Sequence, residues 1–217
     1  MRIPAVLAFA ATLCCAQVPA PVPSPEMPAT TYHDTIMNFD FVYPSSFHAS
    51  KGTTGDAPSK EQGKESGTEK AGLVCVSVPV AVMDMSTGFN MIILKRYDNT
   101  CLSKEITSAG LGTAVANVLT NTLDQFGKPA LNSSADYDIT GHSASTVSGS
   151  VKVPNASGKS VIYGAASCVI AGKNIACFQF LSNDCPTLAV LSATTVKFAD
   201  TVATPVMPAQ FVPACTP

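Results

Sequence analysis

Charge is scarce in this sequence: 13% of its 217 residues are charged, and the formal net charge at pH 7 is −2. Lysine and arginine together number 13 and form no basic cluster. Proteins that bind nucleic acid or anionic membranes usually present a strongly positive patch, because phosphate groups dominate those contacts. The composition therefore argues against nucleic acid as a partner.

Long hydrophobic runs are also absent beyond the first residues. An apolar run at residues 3–15 follows Arg2, and small residues precede Gln17, so we predict a signal peptide over residues 1–16. No later run reaches the ~20 apolar residues that a membrane-spanning helix needs. We therefore expect a secreted or periplasmic protein with no transmembrane segment after signal removal.

Patterns typical of catalytic and metal sites are missing too. The histidines, His33, His48 and His142, have no spacing that would bring them together on a metal ion. The segment Gly141-His142-Ser143-Ala144-Ser145 lacks the glycine that a nucleophile elbow carries two positions after its serine. The sequence also contains no glycine-rich phosphate loop. We therefore predict no catalytic residue, no cofactor and no metal from sequence.

Cysteine is the residue type that carries most information. The chain has 8 cysteines, and removal of Cys14 and Cys15 with the signal peptide leaves an even number, as in disulfide-stabilised exported proteins. Gly172 and Lys173 suit a two-residue hairpin turn, because glycine takes a positive φ without strain. That turn places Cys168 directly opposite Cys177 at a non-hydrogen-bonded pair, where cross-strand Cβ atoms lie closest. We predict this bond and, among three pairings of the remaining cysteines, favour Cys75 with Cys101 and Cys185 with Cys215.

Composition divides the rest of the chain into a linker, one domain and a tail. Residues 17–30 have proline at nearly every third position and are predicted to form an extended linker. Residues 31–200 are predicted to form a single domain, in which residues 49–72 have too few apolar side chains to pack and form a mobile loop. Residues 201–217 contain several prolines and are predicted to be an irregular tail that Cys215 holds in place.

Hydrophobic periodicity predicts both strands and helices in the domain. Alternation of apolar and polar residues indicates strands at residues 36–43, 73–82, 89–97 and 138–153 and in a hairpin at 161–181. Pro79 places its strand near a sheet edge or at a bulge. Helical spacing predicts a main helix at residues 107–126 and a second helix at 184–198 with Pro186 in its first turn.

Both faces of the predicted hairpin at residues 161–181 are apolar, so both need cover. The two predicted helices can supply one layer each. We therefore predict an α+β fold in which an antiparallel β-sheet has helices packed on its faces as an α/β/α sandwich, stabilised by disulfides.

This order of elements resembles the PsbP-like fold. The resemblance is carried by a strand ending in Tyr43-Pro44, a long loop, a hairpin, a helix, the segment Ile139-Thr140-Gly141-His142-Ser143-Ala144, a long hairpin and a closing helix that ends at Phe198. It covers residues 32–200. The fold occurs in the extrinsic oxygen-evolving subunit of photosystem II, in a Ran-binding nuclear import factor and in exported bacterial proteins. It implies an antiparallel sheet between helices and accessory or partner-binding work without catalysis.

Two functions fit these observations. The first is an exported accessory or binding protein whose partner, a protein or envelope component, contacts a sheet edge or the loop at residues 49–72. The second is a small secreted hydrolase with an Asp/Ser site that only the fold assembles. The available carboxylates lie mostly at predicted turns or caps and are Asp84, Asp98, Asp124, Asp136, Asp138 and Asp184. A deep pocket lined by convergent polar groups would favour the second function.

Overall fold

A computed structural model of the chain describes residues 28–49, 75–155, 158–199, 201–208 and 211. The predicted signal peptide lies outside these residues, as do most of the predicted linker, nearly all of the predicted loop at 49–72, and Cys215. Predictions for those segments stay predictions.

The described residues form eleven strands and two helices, which agree with the predicted α+β class. In chain order they are β1 (Ala29–Asp34), β2 (Phe39–Pro44), β3 (His48–Ala49), β4 (Val76–Asp84), β5 (Asn90–Asp98), α1 (Ser108–Leu123), β6 (Pro129–Ile139), β7 (His142–Asn155), β8 (Gly158–Ala171), β9 (Asn174–Ser182), α2 (Cys185–Ser192), β10 (Thr195–Phe198) and β11 (Thr204–Pro205). Among these residues, no helix combines the length and apolar character required to cross a membrane.

The strands form two antiparallel sheets. The large sheet has seven strands in the order β3-β4-β5-β9-β8-β7-β6, and the small sheet has four in the order β1-β2-β10-β11. Pro79 lies in β4 where the register against β5 shifts between Ser77 and Val80, so the predicted bulge is confirmed. The strand order leaves β6 at one edge of the large sheet and the short strand β3 at the other.

The β8-β9 hairpin near the centre of the large sheet has the predicted register. Gly172 in its turn has a φ of 61°, and Cys168 pairs with Cys177. The two cysteines form a disulfide across a Cα–Cα distance of 4.0 Å, as a narrow, non-hydrogen-bonded pair allows. A second disulfide joins Cys75 to Cys101. The pairing of Cys185 with Cys215 involves a residue outside the described part of the chain and stays a prediction.

One face of the β8-β9 hairpin packs under helix α1. Leu111, Val115, Leu119 and Leu123 recur at helical spacing and are buried against the sheet. The sheet residues beneath them include both cysteines of the hairpin disulfide. This layer agrees with the predicted main helix, although α1 itself begins and ends within the predicted range.

The other face of the large sheet is covered chiefly by the small sheet, which corrects the predicted α/β/α sandwich. Phe178 of β9 packs against Phe39 and Phe41 of β2, with ring centroids 5.7 Å and 5.0 Å away. Helix α2 adds Leu188 and Leu191 to the same core. Helix α2 has only eight residues, and the small sheet supplies most of this layer.

The predicted second helix is wrong after Ser192. Its start is correct: Asp184 is the N-cap and accepts a hydrogen bond of 3.0 Å from the Thr187 backbone N–H. Residues 195–198 instead form β10, in which Val196 pairs with Phe41 of β2. The run Thr194-Thr195-Val196 is β-branched and therefore disfavours a helix. Pairing with β2 makes a strand the more stable structure here.

The predicted strand at residues 36–43 is wrong in its first half. The Asp34 carboxylate accepts hydrogen bonds from the backbone N–H groups of Ile36 and Met37, and these bonds close a turn before β2 begins at Phe39. Strand β1 precedes that turn and includes residues 29 and 30, which the predicted linker had contained. Strand β11 likewise lies inside the predicted irregular tail.

Candidate functional site

Strand β6 is the long open edge of the large sheet. It has eleven residues and pairs with β7 on one side, while no strand of the described residues pairs with its other side. The edge strand at the opposite end, β3, has only two residues. A long open edge exposes backbone N–H and C=O groups that can pair with another chain.

The hairpin turn between β6 and β7 determines which backbone groups face outward. Thr140 and Gly141 form this two-residue turn, and Ile139 pairs with His142 beside it. Hydrogen-bonded and non-hydrogen-bonded pairs alternate from such a turn. The outward N–H and C=O groups along this part of the edge therefore belong to Ser134, Asp136 and Asp138.

The side chains of these three residues share the face that carries helix α1. Asp136 pairs with Ser145 and Ser134 pairs with Val147, and Val147 is buried in the core beneath α1. Ser134, Asp136 and Asp138 are all exposed, whereas Tyr137 on the other face is half-buried. The outward backbone groups and these polar side chains therefore occupy one accessible strip.

A cleft of about 410 Å³ lies between helix α1 and this strip. It forms because α1 packs mainly on β7 and β8 and leaves β6 partly uncovered. The cleft is lined by Gly112 and Ala116 of α1, residues 131–136 of β6, and Ser145 and Val147 of β7. Its size falls in the range of small-ligand pockets.

The floor and rim of the cleft carry different polar groups. Ser145 is 1% exposed, and its hydroxyl contacts the Ala135 carbonyl oxygen at 3.5 Å, longer than an ordinary O–H···O hydrogen bond. The exposed carboxylate of Asp136 lies at the rim. A Cβ atom at Gly112 would be 3.5 Å from both the Asp136 Oδ1 and the Ser145 Oγ. The cleft therefore offers a buried hydroxyl beside an accessible negative charge.

Both glycines near the start of α1 should accept alanine. A Cβ at Gly112 would make only ordinary van der Waals contacts, and one at Gly110 would meet only the Thr107 Oγ1, at 3.9 Å. We expect Gly110→Ala and Gly112→Ala each to raise the free energy of unfolding by about 0.5–1 kcal/mol, because glycine costs conformational entropy inside a helix. Urea unfolding of both variants checks this, and a loss of stability in Gly112→Ala would contradict the cleft geometry.

The side of β6 that faces away from α1 is hydrogen-bonded to Val206, the residue after β11. The Tyr137 hydroxyl is hydrogen-bonded to the Ser167 Oγ and donates to the Val206 carbonyl oxygen. Val206 is fully buried and follows β11. This contact holds β6 near its C-terminal end, on the face that points away from α1.

Because the Tyr137 side chain is half-buried, the free energy of unfolding should depend on pH in the alkaline range. Burial raises the pKa of Tyr137 to about 12, from 10.0 for an ordinary tyrosine. Between these values the folded protein keeps a proton that the unfolded chain loses, so its stabilising contribution is complete below pH 10 and is lost as the pH rises to about 12.

We expect the free energy of unfolding to fall by about 2–3 kcal/mol more in the wild type than in Tyr137→Phe over this pH interval. Chemical unfolding of both proteins at several pH values from 9 to 12 measures the difference. Parallel curves for the two proteins would contradict the assignment.

The three histidines lie apart. His33 Nδ1 is 2.8 Å from the Asp40 Oδ1 at the surface, His48 is exposed in β3, and the His142 ring packs on Phe198 with centroids 4.4 Å apart. Within the described ranges no group of three or more His, Cys, Asp or Glu side chains is arranged to hold a metal ion.

Most of the carboxylates considered for catalysis serve turns and caps. Hydrogen bonds from the side chains of Ser86, Thr100 and Thr187 lower the pKa values of Asp84, Asp98 and Asp184, respectively. Asp138 accepts from the Gly141 backbone N–H at 2.6 Å, and Asp124 is the C-cap of α1. Asp136 is the one member of the set that lines the cleft.

Sequence reasoning missed most of β6 and with it the cleft. The predicted strand begins at residue 138, whereas β6 begins at Pro129. Its exposed face carries Ser134, Asp136 and Asp138, so the segment lacks the apolar alternation that marks a strand. Gly149 lies inside β7 and pairs with Leu131.

Comparison with known proteins gives matches only among solved structures. No protein-family model and no curated protein matches the chain. The chain is similar to the solution structure of cyanobacterial PsbP from Synechocystis sp. PCC 6803, with 15% identity and a TM-score of 0.49 over 78% of this chain and 92% of that chain. It is also similar to the crystal structure of PA94, a protein of unknown function from Pseudomonas aeruginosa, with 12% identity and a TM-score of 0.34 over 71% and 82% of the two chains. PsbP is the family that the order of elements resembles.

Proposed function

We propose that this chain is an exported binding protein without catalytic activity, and that it binds an extended polypeptide segment as an added strand along β6. The observation that carries the proposal is the open edge of β6 beside a polar cleft. In strand addition, main-chain hydrogen bonds supply affinity and pockets for alternate side chains supply specificity. This chain offers both features on one strip.

The usable part of the edge runs from Ser133 to Ile139. The register between β6 and β7 shifts between Leu131 and Ser133, and such a bulge interrupts regular pairing. Beyond the bulge the pairing is continuous to the turn. An incoming strand of five or six residues would therefore meet the outward groups of Ser134, Asp136 and Asp138 in sequence.

Disulfide chemistry supports a location outside the cytoplasm. The structure contains the bonds Cys75–Cys101 and Cys168–Cys177, and such structural bonds persist in oxidising compartments. The predicted signal peptide provides an export route. A secreted or periplasmic binding protein is consistent with both.

Hydrolysis is the second candidate, because Asp136 and Ser145 face each other across β6 and β7 in the cleft. A serine nucleophile needs a base within hydrogen-bonding reach. The Ser145 hydroxyl contacts the Ala135 carbonyl oxygen and not Asp136, and the residues that line the cleft include no histidine and no lysine. The open edge needs no such group, so strand binding is the function the geometry supports better.

A matched pair of variants tests the proposal. The full chain, produced with its disulfides formed, is used to select binders from a displayed library of random twelve-residue peptides. Ser134→Pro removes an outward N–H without breaking the ladder to β7, whereas Ser134→Ala removes the same side chain and keeps the N–H. We expect the selected peptides to bind the wild type and Ser134→Ala, and to bind Ser134→Pro at least about tenfold more weakly.

The proposal is wrong if no peptide is selected, or if selected peptides bind all three proteins equally. Circular dichroism and thermal unfolding of Ser134→Pro establish that the variant is folded. If Ser134→Pro does not fold, Asp138→Pro replaces it in the test, because Asp138 also has an outward N–H. Asp138→Ala is then the control.

A further inference from the structure

We infer that the strand bound at β6 carries a lysine or arginine whose side chain enters the cleft between α1 and β6 and pairs with Asp136. This inference rests on the proposed strand addition and goes beyond it, since it names the chemistry of the partner. It draws on the position of the cleft, the charges around it and the apolar surface along its wall.

The position of the cleft determines which side chains of a bound strand can reach it. A strand added to β6 lies about 4.8 Å outside it and projects every second side chain to the α1 face. The cleft opens on that face beside Ser134 and Asp136. One side chain of the added strand therefore lies over the cleft, and its neighbours two residues away lie over Asp138 or Leu131.

The charge in and near the cleft is negative and uncompensated. Asp136 is the single charged residue of the lining, and no ion-pair partner for it occurs among the described residues. Asp138 lies two residues further along the same face. A cationic side chain is attracted to this strip, and an acidic one is repelled.

The shape and surface of the cleft suit a long basic side chain. Ala116, Leu131 and Val147 supply apolar surface along which the methylene stem of lysine or arginine can lie. Ser145, with only its long contact to the Ala135 carbonyl oxygen, offers a hydroxyl that can accept a further hydrogen bond at the floor. A short or purely apolar side chain would contact neither this hydroxyl nor the carboxylate.

The same displayed library tests the inference at the level of single positions. Sequencing the peptides selected on the wild type should show lysine or arginine enriched at one position. On either side of it, residue preferences should recur at every second position, as in a strand. Asp136→Asn should remove this enrichment and weaken the binding of a synthetic lysine-bearing peptide about five- to tenfold. Asp124→Asn, which removes an exposed carboxylate at the far end of α1, should change neither.

Charge reversal and occlusion give two further readouts. Asp136→Lys should select peptides with aspartate or glutamate at the same position. Gly112→Leu should fill the cleft and shift the selection there to small residues, whereas Gly110→Leu, whose side chain lies away from the cleft lining, should not.

The outcomes separate this inference from the proposed function. Peptides that depend on the Ser134 N–H but show no preference for basic residues, or keep that preference on Asp136→Asn, would overturn the inference alone. A library from which nothing is selected would overturn the proposed function, and the inference with it.

Discussion

Replacing Arg96 by methionine is expected to lower the free energy of unfolding by about 3–5 kcal/mol, because it leaves a buried carboxylate without its cation. The Arg96 Nη1 lies 2.8 Å from the Asp34 Oδ2, and the Asp34 side chain is fully buried. Arg96 belongs to β5 of the large sheet and Asp34 to β1 of the small one. The pair therefore joins the two layers, and its loss also loosens the turn that Asp34 closes.

Two controls separate the buried charge from general effects of substitution. Asp34→Asn combined with Arg96→Met removes both charges and keeps an acceptor for the Ile36 and Met37 N–H groups, so it should recover part of the loss. Asp40→Asn breaks only the exposed pair with His33 and should cost less than about 1 kcal/mol. Urea unfolding under oxidising conditions gives all values. A cost for Arg96→Met no larger than that for Asp40→Asn would contradict the account.

Phe178→Ala is expected to cost about 3–5 kcal/mol, because it opens a cavity where the two sheets meet. Phe178 is fully buried and contacts the rings of Phe39 and Phe41 across the interface. Both neighbouring rings belong to β2, and the pairing of β2 with β1 and β10 prevents that strand from closing onto the vacated space. The small sheet would then lose these ring contacts with β9.

Phe126→Ala is the matched control for this prediction. Phe126 is half-buried after helix α1, and its ring meets Phe89 edge-on at the margin of the other core. Its removal should cost about 1–2 kcal/mol, since solvent can reach the space that it leaves. Equal losses for the two variants would show that the sheet interface is not the more tightly packed region.

Local signals predicted the central part of the fold. The turn at Gly172 determines the register that places Cys168 opposite Cys177, and both facts can be worked out from a handful of adjacent residues. The stripe from Leu111 to Leu123 likewise identifies α1, because helical spacing of leucines is visible without knowledge of partners. The local sequence of these elements is therefore enough to predict them.

Elements that depend on distant partners were the ones mispredicted. Residues 195–198 have a spacing compatible with helix, and only the presence of β2 makes them a strand. Strand β6 has a polar outer face, and its pairing with β7 is what makes it a strand. The cleft could not be predicted for the same reason, since Gly112 and Asp136 meet only when α1 lies across the sheet.

Amide hydrogen exchange along β6, measured by NMR in the free protein and with a selected peptide, tests the central claim most directly. We predict fast exchange at Ser134, Asp136 and Asp138 and slow exchange at Ala135 and Tyr137 in the free protein, followed by protection of the first three when the peptide binds. Slow exchange at all five positions before any peptide is added, or no new protection afterwards, would contradict it.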